Sequence, residues 1–330
     1  MSKVSVIVTI YNAGTYLRRC LDSLASQTLS DVEFVLVLDC PTDGSDRVAK
    51  EYAAKDKRFS VIENKKNLHI GESRNVGLQM AKGDYVAFID HDDFCESCML
   101  EILYNNAIEK KSDIVISPIR RCIESSNTFI DRHIELPAQE DPRIFILRQI
   151  ISCGTSNKVH FNYNQIHGIL YRKSFLYKSD IRSVDTKRIV PEDSLFNISC
   201  LIKASAVTIV NRSFYCHVTS EINTGSNLSY YDWEKRLRGY KYEKEVLCTA
   251  GLYNDFENIF KIGIVRSCNY LFLQQLTLGS FRQCLKVLDC ARHEKLIKDA
   301  YKVKDSAIYP LKIRFINFFF KTIVETGKTM

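Results

Sequence analysis

The sequence has no run of 18 or more apolar residues, and we therefore predict no membrane-spanning helix. It also lacks the pattern of a secretory signal peptide, because the apolar stretch 4–8 is short and polar Tyr11 and Asn12 follow it closely. No G-x-G-x-x-G follows the first strand-like run, and no G-x-x-x-x-G-K-[ST] occurs anywhere. These absences remove the main support for a dinucleotide-binding dehydrogenase and for a P-loop nucleotidase.

Charge of one sign is not in large excess either. The 330 residues carry 46 Lys and Arg against 39 Asp and Glu, which gives a formal net charge of +7. A dedicated nucleic-acid binder usually has a sharper basic excess, so we predict no nucleic-acid partner. The hydrophobic fraction of 45% is that of an ordinary globular protein, and it excludes a disordered chain.

Twelve cysteines are spread thinly along the chain. A short secreted protein would use that number for disulfides, but over this length we expect reduced thiols in a cytoplasmic protein. Cys95 and Cys98 form a C-x-x-C without a second pair at zinc spacing. A metal or redox role at that pair is therefore disfavoured.

The first third of the chain alternates apolar, β-type runs with helical patterns of 10–15 residues, which is typical of an α/β protein with a mainly parallel sheet. The predicted strands cover residues 4–10, 34–38, 59–62, 85–89 and 113–116. Ligands bind at the carboxyl ends of such strands. Asn12, Asp39 and the segment 90–93 follow three of these ends, so we expect them to converge on one crevice.

Three carboxylates within four positions follow the fourth predicted strand: Asp90, Asp92 and Asp93, with His91 among them. Like charges repel, so we expect a cation there, and Mg²⁺ or Mn²⁺ prefers carboxylate oxygen and often shares phosphate ligands. Along extended backbone, Asp90 and Asp92 can point to the same side. The alternative is an acidic turn that caps the next helix. The residues alone leave both interpretations open.

Several motifs, in order and at matching spacing, resemble family 2 glycosyltransferases of the GT-A fold. Residues 4–12 are similar to their opening strand, 26–28 to their S-x-Q-T turn, and 38–45 to their D-D-G-S-T-D-G-S segment. Residues 90–92 match their D-x-D motif. Their pattern around A-R-N-x-G is followed by Asn67, Gly71, Arg74, Asn75, Gly77, Ala81, Gly83 and Asp84. The resemblance is strong over residues 1–118.

The resemblance implies a GT-A domain at 1–228, with a nucleotide-sugar half at 1–118 and an acceptor half at 119–228, and a helical C-terminal extension at 229–330. It implies an inverting enzyme of surface polysaccharide synthesis. Such an enzyme moves a sugar from a nucleotide diphosphate, above all UDP, to a hydroxyl of a glycan or lipid-linked acceptor, with Mn²⁺ or Mg²⁺ as cofactor. The alternative is a non-catalytic nucleotide-sugar or glycan-binding protein that keeps this fold.

The resemblance also implies roles for single residues. Asp39 would hydrogen-bond the base, Asp90 would contact the ribose, and Arg74 would lie near the diphosphate. Asp92 would ligate the metal, and Asp90 and His217 are further candidate ligands. The other residues expected on the nucleotide side are Thr9, Tyr11, Asn12, Asn67, Gly71 and His91. Leu38 replaces the first Asp of the family's pair, so the assignment of uracil as the base is less specific.

The segment Pro191-Glu192-Asp193 matches the family's E-D motif. In a single displacement the acceptor hydroxyl loses a proton as it attacks the anomeric carbon, and a carboxylate can accept that proton. The resemblance makes Asp193 this base, with Glu192 positioning it or touching the acceptor. The alternative role for Asp193 is an N-cap of the helix predicted over 195–201.

The C-terminal region intersperses basic residues with aromatic and aliphatic ones, as amphipathic helices do. Segment 309–324 contains Lys312, Arg314 and Lys321 among phenylalanine and isoleucine residues. Such a segment suits an anionic membrane surface, and packing on the protein's own core or on a second subunit is the alternative. We therefore expect a cytoplasmic protein. If the tail binds lipid, the protein is peripheral on the inner membrane, and if the tail binds a second copy of the chain, the protein is a homodimer.

Overall fold

The computed structural model describes residues 2–126, 128–152, 165–219, 232–277 and 293–302, together with residues 284 and 289. The chain divides into two compact units. The first comprises Met1–Leu147 and Lys158–Asn227, and the second comprises Arg148–Asn157 and Leu228–Met330.

Eleven strands lie in the described part of the first unit: β1 (Val4–Ile10), β2 (Val32–Leu38), β3 (Phe59–Glu63), β4 (Tyr85–Asp90), β5 (Phe94–Cys95), β6 (Ile114–Ile116), β7 (Ile119–Ile123), β8 (Thr128–Ile130), β9 (Ile169–Arg172), β10 (Val207–Ile209) and β11 (Tyr215–Thr219). The described helices are α1 (Tyr16–Ala25), α2 (Ser45–Lys55), α3 (His69–Met80), α4 (Met99–Glu109), α5 (Pro142–Ile151), α6 (Lys173–Lys178), α7 (Glu192–Lys203), α8 (Trp233–Thr249), α9 (Tyr253–Thr277) and α10 (Lys295–Tyr301). A short 3₁₀ turn covers Glu124–Ser126.

Seven strands form the main sheet, in the order β10-β6-β9-β4-β1-β2-β3. Every neighbouring pair is parallel except the two that involve β9, which runs antiparallel to β4 and to β6. The predicted α/β class with a mainly parallel sheet is therefore confirmed. The sequence did not predict β9, because its four residues lie in a stretch without a clear period.

The core of this unit lies on both faces of the main sheet. All seven residues of β1 are buried, and six of the seven in β2 are buried. Val, Ile and Leu therefore fill these strands without alternation, as expected where both faces are covered. Helix α3 packs closely here, because a Cβ on Gly77 would come within 2.4 Å of Ile7 Cγ2. Glycine at position 77 thus lets the helix approach the sheet.

The strand order brings three polar strand ends to one edge. Strand β1 lies between β2 and β4, with Ile10 paired to Leu38 and Thr9 paired to Asp90. Asn12 and Asp39 follow the first two strands directly, and Asp90 ends the third. After β1, strands β2 and β3 are added on one side of it and β4 on the other. A ligand crevice is expected where the strand order switches sides in this way.

A second sheet has the order β5-β11-β7-β8. Strand β5 follows the acidic segment 90–93 at once and pairs antiparallel with β11, with Cys95 opposite Tyr215. This pairing carries Tyr215 and His217 towards the acidic segment. Cys95 and Cys98, the C-x-x-C pair, are free thiols.

The described part of the second unit is helical. Helix α9 packs against α8 and α10, and the buried Tyr301 hydroxyl donates to Asn269 Oδ1 at 3.0 Å. Gly263 permits close packing, because a Cβ there would lie 2.1 Å from the Ile151 carbonyl oxygen. Among the helices described, none combines the length and apolarity that a membrane span requires. Segment 309–324, for which membrane contact and packing on the protein's own core or on a second subunit are the alternatives, lies outside the described residues.

Candidate active site

The buried guanidinium of Arg74, on α3, joins the ends of two other elements. Its side chain is 3% exposed, Nη2 donates to Asp90 Oδ1 at 3.3 Å, and Nη1 donates to Asp193 Oδ1. Glu192 Oε1 lies 4.0 Å from Nη1. Burial alone would lower the pKa of Arg74, but the three neighbouring carboxylates outweigh it and raise that pKa. A permanent cation therefore holds the end of β4 beside the start of α7.

Asp193 lies within the first turn of α7 and does not cap it. The helix begins at Glu192, Pro191 occupies the N-cap position, and no side chain caps the helix. The N-cap interpretation is therefore wrong. The carboxylate of Asp193 turns to Arg74 instead, because a buried guanidinium needs a counter-charge.

The first carboxylate of the acidic segment, Asp90, is bound on both sides. Oδ1 accepts from Arg74, and Oδ2 lies 3.0 Å from Nε2 of His167. His167 is buried and stacks on Tyr215, with ring centroids 5.0 Å apart and planes 13° from parallel. Burial lowers the pKa of His167, but the charge of Asp90 outweighs it and raises that pKa to about 9.

The third carboxylate, Asp93, is completely buried and anchors the second sheet. Oδ1 accepts from the backbone N–H of Val218 at 2.7 Å. Oδ2 accepts from the Tyr215 hydroxyl at 2.5 Å and lies 3.2 Å from His217 Nδ1. A backbone turn from Asp93 N to Asp90 O, at 3.2 Å, fixes the segment between them.

The middle carboxylate, that of Asp92, accepts no hydrogen bond from any other described residue. Burial, together with the negative charges of Asp93 and Asp90, raises its pKa to about 6. Such an anion gains free energy when a cation binds, so Asp92 fits a divalent metal ion. His91 donates from Nδ1 to the Thr9 carbonyl at 2.9 Å.

Asp90, Asp93 and His167 each offer one ligand atom within 4.8 Å of the others. Their polar atoms are already used by Arg74, by Tyr215 and Val218, and by one another. Asp90 and His217, which we predict as metal ligands beside Asp92, are thus engaged with protein partners. The carboxylates of Asp90 and Asp92 share no partner in the described structure.

Asp39, the predicted base-binding residue, is buried at the end of β2. Its Oδ1 accepts from Asn64 Nδ2 at 2.8 Å and from the Leu68 N–H at 2.7 Å, and its Oδ2 accepts from the His69 N–H at 2.8 Å. These bonds shape the loop between β3 and α3. A carboxylate has about four acceptor positions, so one position on Oδ2 stays open to a ligand.

Asn12 and Tyr11 follow β1 at the same edge. Asn12 has a positive φ of 48°, and its Oδ1 accepts from the Thr42 N–H at 2.8 Å. Next to it, Asp43 accepts from the Gly14 N–H at 2.8 Å. The turn after β1 is thus tied to the start of α2, whereas Tyr11 is 48% exposed.

Helix α3 also holds the segment that leads to Asp193. The Gly71 N–H donates to Thr186 Oγ1 at 3.0 Å, and a Cβ on Gly71 would lie 2.1 Å from the Val184 carbonyl oxygen. The Asn67 carbonyl oxygen accepts from Lys187 Nζ at 2.7 Å. Gly71 and Asn67 therefore contact the chain 183–187 directly, and we call this chain the 183–187 segment.

Sequence reasoning missed His167 and Tyr215 as parts of this site. His167 is a single histidine in an irregular stretch, and Tyr215 reads as an ordinary strand residue. The spacing of neither residue indicates that they stack next to Asp90. Only the pairing of β5 with β11 brings Tyr215 to the acidic segment, and that pairing could have indicated its role.

Comparison with known proteins agrees with the resemblance to glycosyltransferases. A sequence profile described as Glycosyl transferase family 2 matches residues 5–176. The protein named Cholesterol galactosyltransferase from Borreliella burgdorferi is 30% identical over 306 residues, which cover 92% of this chain and 83% of that protein. Putative glycosyltransferase EpsH from Bacillus subtilis is 31% identical over 217 residues, covering 64% of this chain and 59% of that protein.

A solved structure shows the same fold. The crystal structure of S. aureus TarS 1-349 in complex with UDP-GlcNAc superposes with a TM-score of 0.71 at 20% identity, covering 98% of this chain and 91% of that chain. The predicted GT-A fold is thereby confirmed. Given the profile match over half of the chain and a relative at 30% identity, the chain belongs to glycosyltransferase family 2 and is a glycosyltransferase.

Proposed function

We propose that the protein transfers a sugar from a nucleotide diphosphate, in the first place UDP, to a hydroxyl of a glycan or lipid-linked acceptor, with inversion at the anomeric carbon. The observation that supports this is the contact of Arg74 with both Asp90 and Asp193. Arg74 and Asp193 are 119 residues apart, and the fold brings a nucleotide-side carboxylate and a base candidate onto one guanidinium.

Asp193 acts as the general base in this proposal. Its Oδ1 is held by Arg74, and its Oδ2 accepts the proton of the acceptor hydroxyl. The acceptor oxygen forms a bond to the anomeric carbon as the bond from that carbon to the diphosphate breaks. The nucleoside diphosphate leaves with the electron pair. Because Arg74 fixes the carboxylate, little orientation is lost at the moment of reaction.

The donor lies across the ends of β1, β2 and β4. Asp39 accepts an N–H of the base at the open position on Oδ2, and Asp90 lies towards the ribose. Thr9, Tyr11, Asn12, Asn67, Gly71 and His91 line or shape this edge. The complex of S. aureus TarS with UDP-GlcNAc supports UDP as the nucleotide.

Asp92 is the residue that would hold Mn²⁺ or Mg²⁺. The ion when bound supplies positive charge that stabilises the leaving diphosphate. Mannosyltransferase PcManGT from Pyrobaculum calidifontis, solved with GDP-Man and Mn²⁺, has a TM-score of 0.50 and 11% identity, and it covers 99% of this chain and 88% of that chain. Because that complex contains Mn²⁺, Mn²⁺ is the first ion to test.

A donor and acceptor panel tests the proposal. UDP-galactose, UDP-GlcNAc and GDP-mannose are incubated with Mn²⁺ and the protein, with cholesterol or oligosaccharides as acceptors, and released nucleoside diphosphate is measured. Galactose and cholesterol enter the panel because the Borreliella burgdorferi relative is named for them.

Three variants sharpen the panel. Asp193→Asn removes the base and should lower kcat by about 100-fold or more, and Asp92→Ala should abolish the metal response. Asp180→Asn is the matched control, because the Asp180 side chain is 92% exposed. Full activity of Asp193→Asn, or no turnover of any donor by the wild type, would refute the proposal. The latter result would favour a non-catalytic binding protein.

A cytoplasmic location, with the C-terminal segment 309–324 on an anionic membrane surface or on a second copy of the chain, is part of the proposal. Its support is the cationic, aromatic composition of that segment. An acceptor carried on a lipid would be reached from such a surface.

A further inference from the structure

Three N–H donors hold the carboxylate of Asp39, and together they leave it a single open acceptor position. Oδ1 accepts from Asn64 Nδ2 at 2.8 Å and from the Leu68 N–H at 2.7 Å, so both of its positions are used. Oδ2 accepts from the His69 N–H at 2.8 Å, which leaves one position on that oxygen. Asp39 is 3% exposed, so a second ligand N–H placed against it would be shielded from water and would need an acceptor there.

Asn64 supplies the one side chain among these three donors, since Leu68 and His69 donate from the backbone. A carboxylate only accepts, so the amide of Asn64 has to face Asp39 with its NH₂ group. The same Nδ2 also donates to Ser73 Oγ at 2.9 Å, and Ser73 is completely buried on α3. Both amide protons are thus used, and a rotation of the amide would lose both hydrogen bonds.

The backbone of Asn64 is held on both sides of Asp39. The Asn64 N–H donates to the Leu38 carbonyl oxygen at 2.9 Å, and the Cys40 thiol donates to the Asn64 carbonyl oxygen at 3.3 Å. Leu38 and Cys40 are the chain neighbours of Asp39. Asn64 therefore cannot leave Oδ1 without breaking contacts that also fix the end of β2.

The number of open acceptor positions distinguishes between nucleotide bases, which proteins recognise by hydrogen bonds to the Watson–Crick edge. Uracil presents one N–H on that edge, between two carbonyl groups. Guanine presents a ring N–H next to an amino group, and so two neighbouring donors. One open position on Asp39 satisfies uracil, whereas the second donor of guanine meets an oxygen that is already saturated. A buried donor without an acceptor weakens binding.

We propose that Asn64, oriented by Ser73, determines base specificity: it fills Oδ1 of Asp39 and thereby selects a base with a single N–H, such as uracil, over guanine. This inference rests on the proposed nucleotide-sugar function and defines the donor class for the same site. Asn64 acts through Asp39 and touches no reacting atom, so it is a positioning residue. Leu68 and His69 contribute the fixed backbone part of the same arrangement.

Binding of nucleoside diphosphates tests this without any transfer reaction. Isothermal titration calorimetry with the full-length protein and Mn²⁺ gives dissociation constants for UDP, GDP and inosine diphosphate. Hypoxanthine, the base of inosine diphosphate, is guanine without the amino group, so this pair varies the number of donors and keeps the size of the ring. We expect the wild type to bind GDP at least about fivefold more weakly than inosine diphosphate, as an unpaired buried donor implies.

Asn64→Ala opens a position on Oδ1. The preference for inosine diphosphate over GDP should fall to about twofold or less, and the GDP affinity should rise at least about threefold. A loss of folding cannot produce this gain. Ser73→Ala releases the Asn64 amide and should lower the same preference at least about twofold. In the Asn64→Ala background Ser73→Ala should have no further effect, because Ser73 acts through Asn64.

Asn106→Ala and Ser199→Ala are the matched controls. The Asn106 side chain donates to a carbonyl within its own helix, and Ser199 is a buried helical serine whose Oγ donates to the Leu195 carbonyl oxygen at 2.9 Å. Both variants should keep the wild-type preference between the two purine nucleotides.

Equal binding of GDP and inosine diphosphate by the wild type would overturn the inference, and so would an unchanged preference in folded Asn64→Ala. If that variant does not fold, Ser73→Ala decides in the same way. If UDP binds but neither purine nucleotide binds the wild type or the variants, ring size selects the base and the inference is wrong. A wild type that binds none of the three nucleotides would refute the proposed function as well. The expected preferences without turnover of any donor sugar would support the inference and refute the transferase reaction.

Discussion

At the scale of single residues, the shape of the arginine side chain explains why Arg74 can serve two carboxylates. The guanidinium is planar and presents donors in several directions, and here Nη1 faces Asp193 while Nη2 faces Asp90. An ammonium group on a flexible stem is a point charge and cannot fix two partners in the same way. The geometry between the base candidate and the nucleotide edge therefore depends on arginine in particular.

Arg74→Lys should keep the charge and lose the geometry. We expect kcat/KM for donor turnover to fall about 100-fold, because a displacement of about 1 Å at a reacting group has an effect of that size. Arg58→Lys is the control, since Arg58 pairs with Asp56 away from the site. Activity within about twofold of the wild type would show that the contacts of Arg74 with Asp90 and Asp193 are dispensable.

Glu243, on α8, is a second residue with an unusual environment. Its Oε1 is buried without a hydrogen-bond partner in the described structure, and burial raises the pKa to about 8, against the opposing charge of Arg236. The folded protein therefore keeps a proton that the unfolded chain releases above its ordinary pKa of 4.5. The resulting stability is fully present below pH 4.5 and declines as the pH rises to 8.

Glu243→Gln should remove this decline. We expect Tm to rise by about 2–6 °C at pH 8 and to change little at pH 4.5, because glutamine resembles the protonated form. Thermal unfolding followed by circular dichroism at several pH values measures the slope. Glu245→Gln, an exposed residue on the same helix, is the control. An equal Tm shift at both pH values would contradict the explanation.

At the scale of elements, α3 connects the nucleotide edge to the catalytic helix. Asn75 makes two hydrogen bonds with Ser183, each of 2.9 Å. Asn75 Nδ2 donates to the Ser183 carbonyl oxygen, and the Ser183 backbone N–H donates to Asn75 Oδ1. The 183–187 segment that is held in this way leads directly to α7 and Asp193. The segment 73–77 follows the family's A-R-N-x-G motif with Ser73 in place of Ala. It combines the contacts of Arg74 with Asp90 and Asp193, an anchor at Asn75 and close sheet packing at Gly77.

Asn75→Ala should loosen the 183–187 segment. We expect the free energy of unfolding to fall by about 1–3 kcal/mol, since the backbone groups of Ser183 lose their partners. We also expect kcat to fall more than donor affinity, because Asp193 is displaced while Asp39 is not. Asn106→Ala is the control, because the Asn106 side chain donates to the Ile102 carbonyl within its own helix. If Asn75→Ala keeps the wild-type kcat, the hold of Asn75 on the 183–187 segment does not contribute to catalysis.

At the scale of the whole molecule, the charged residues behind the net charge of +7 are unevenly distributed along the chain. Carboxylates at strand ends form the candidate site of the first unit, and one buried arginine compensates two of them. Basic residues recur among apolar ones in segment 309–324. Each juxtamembrane Lys or Arg near an anionic surface contributes about 1 kcal/mol to binding.

The full-length variant with Lys312→Gln, Arg314→Gln and Lys321→Gln should bind membranes less. We expect its partition onto vesicles of phosphatidylcholine and phosphatidylglycerol to fall at least about tenfold. Co-sedimentation measures this. The control replaces three exposed lysines near α10 with Gln, at Lys295, Lys298 and Lys302. Equal binding by both variants would remove the proposed membrane contact, and a change in oligomeric state instead would favour a second copy as the partner.

The sequence by itself determined the α/β class, the predicted strands and the family. Apolar runs of 5–7 residues and the helical spacing between them are local patterns, and burial on both sheet faces leaves little freedom in how they fold. The ordered motifs specify the family in the same local way. Strand β2 begins at Val32, earlier than predicted, because the register pairs Val32 with Val4.

Only the tertiary structure decided which side chains meet. The contact of Arg74 with Asp193 spans 119 residues, and His167 reaches Asp90 from an irregular stretch. Such contacts depend on strand order, on the antiparallel insertion of β9 and on the pairing of β5 with β11. Periodicity along a chain carries no record of these long-range pairings, because each is fixed by packing that forms only when the whole sheet is assembled.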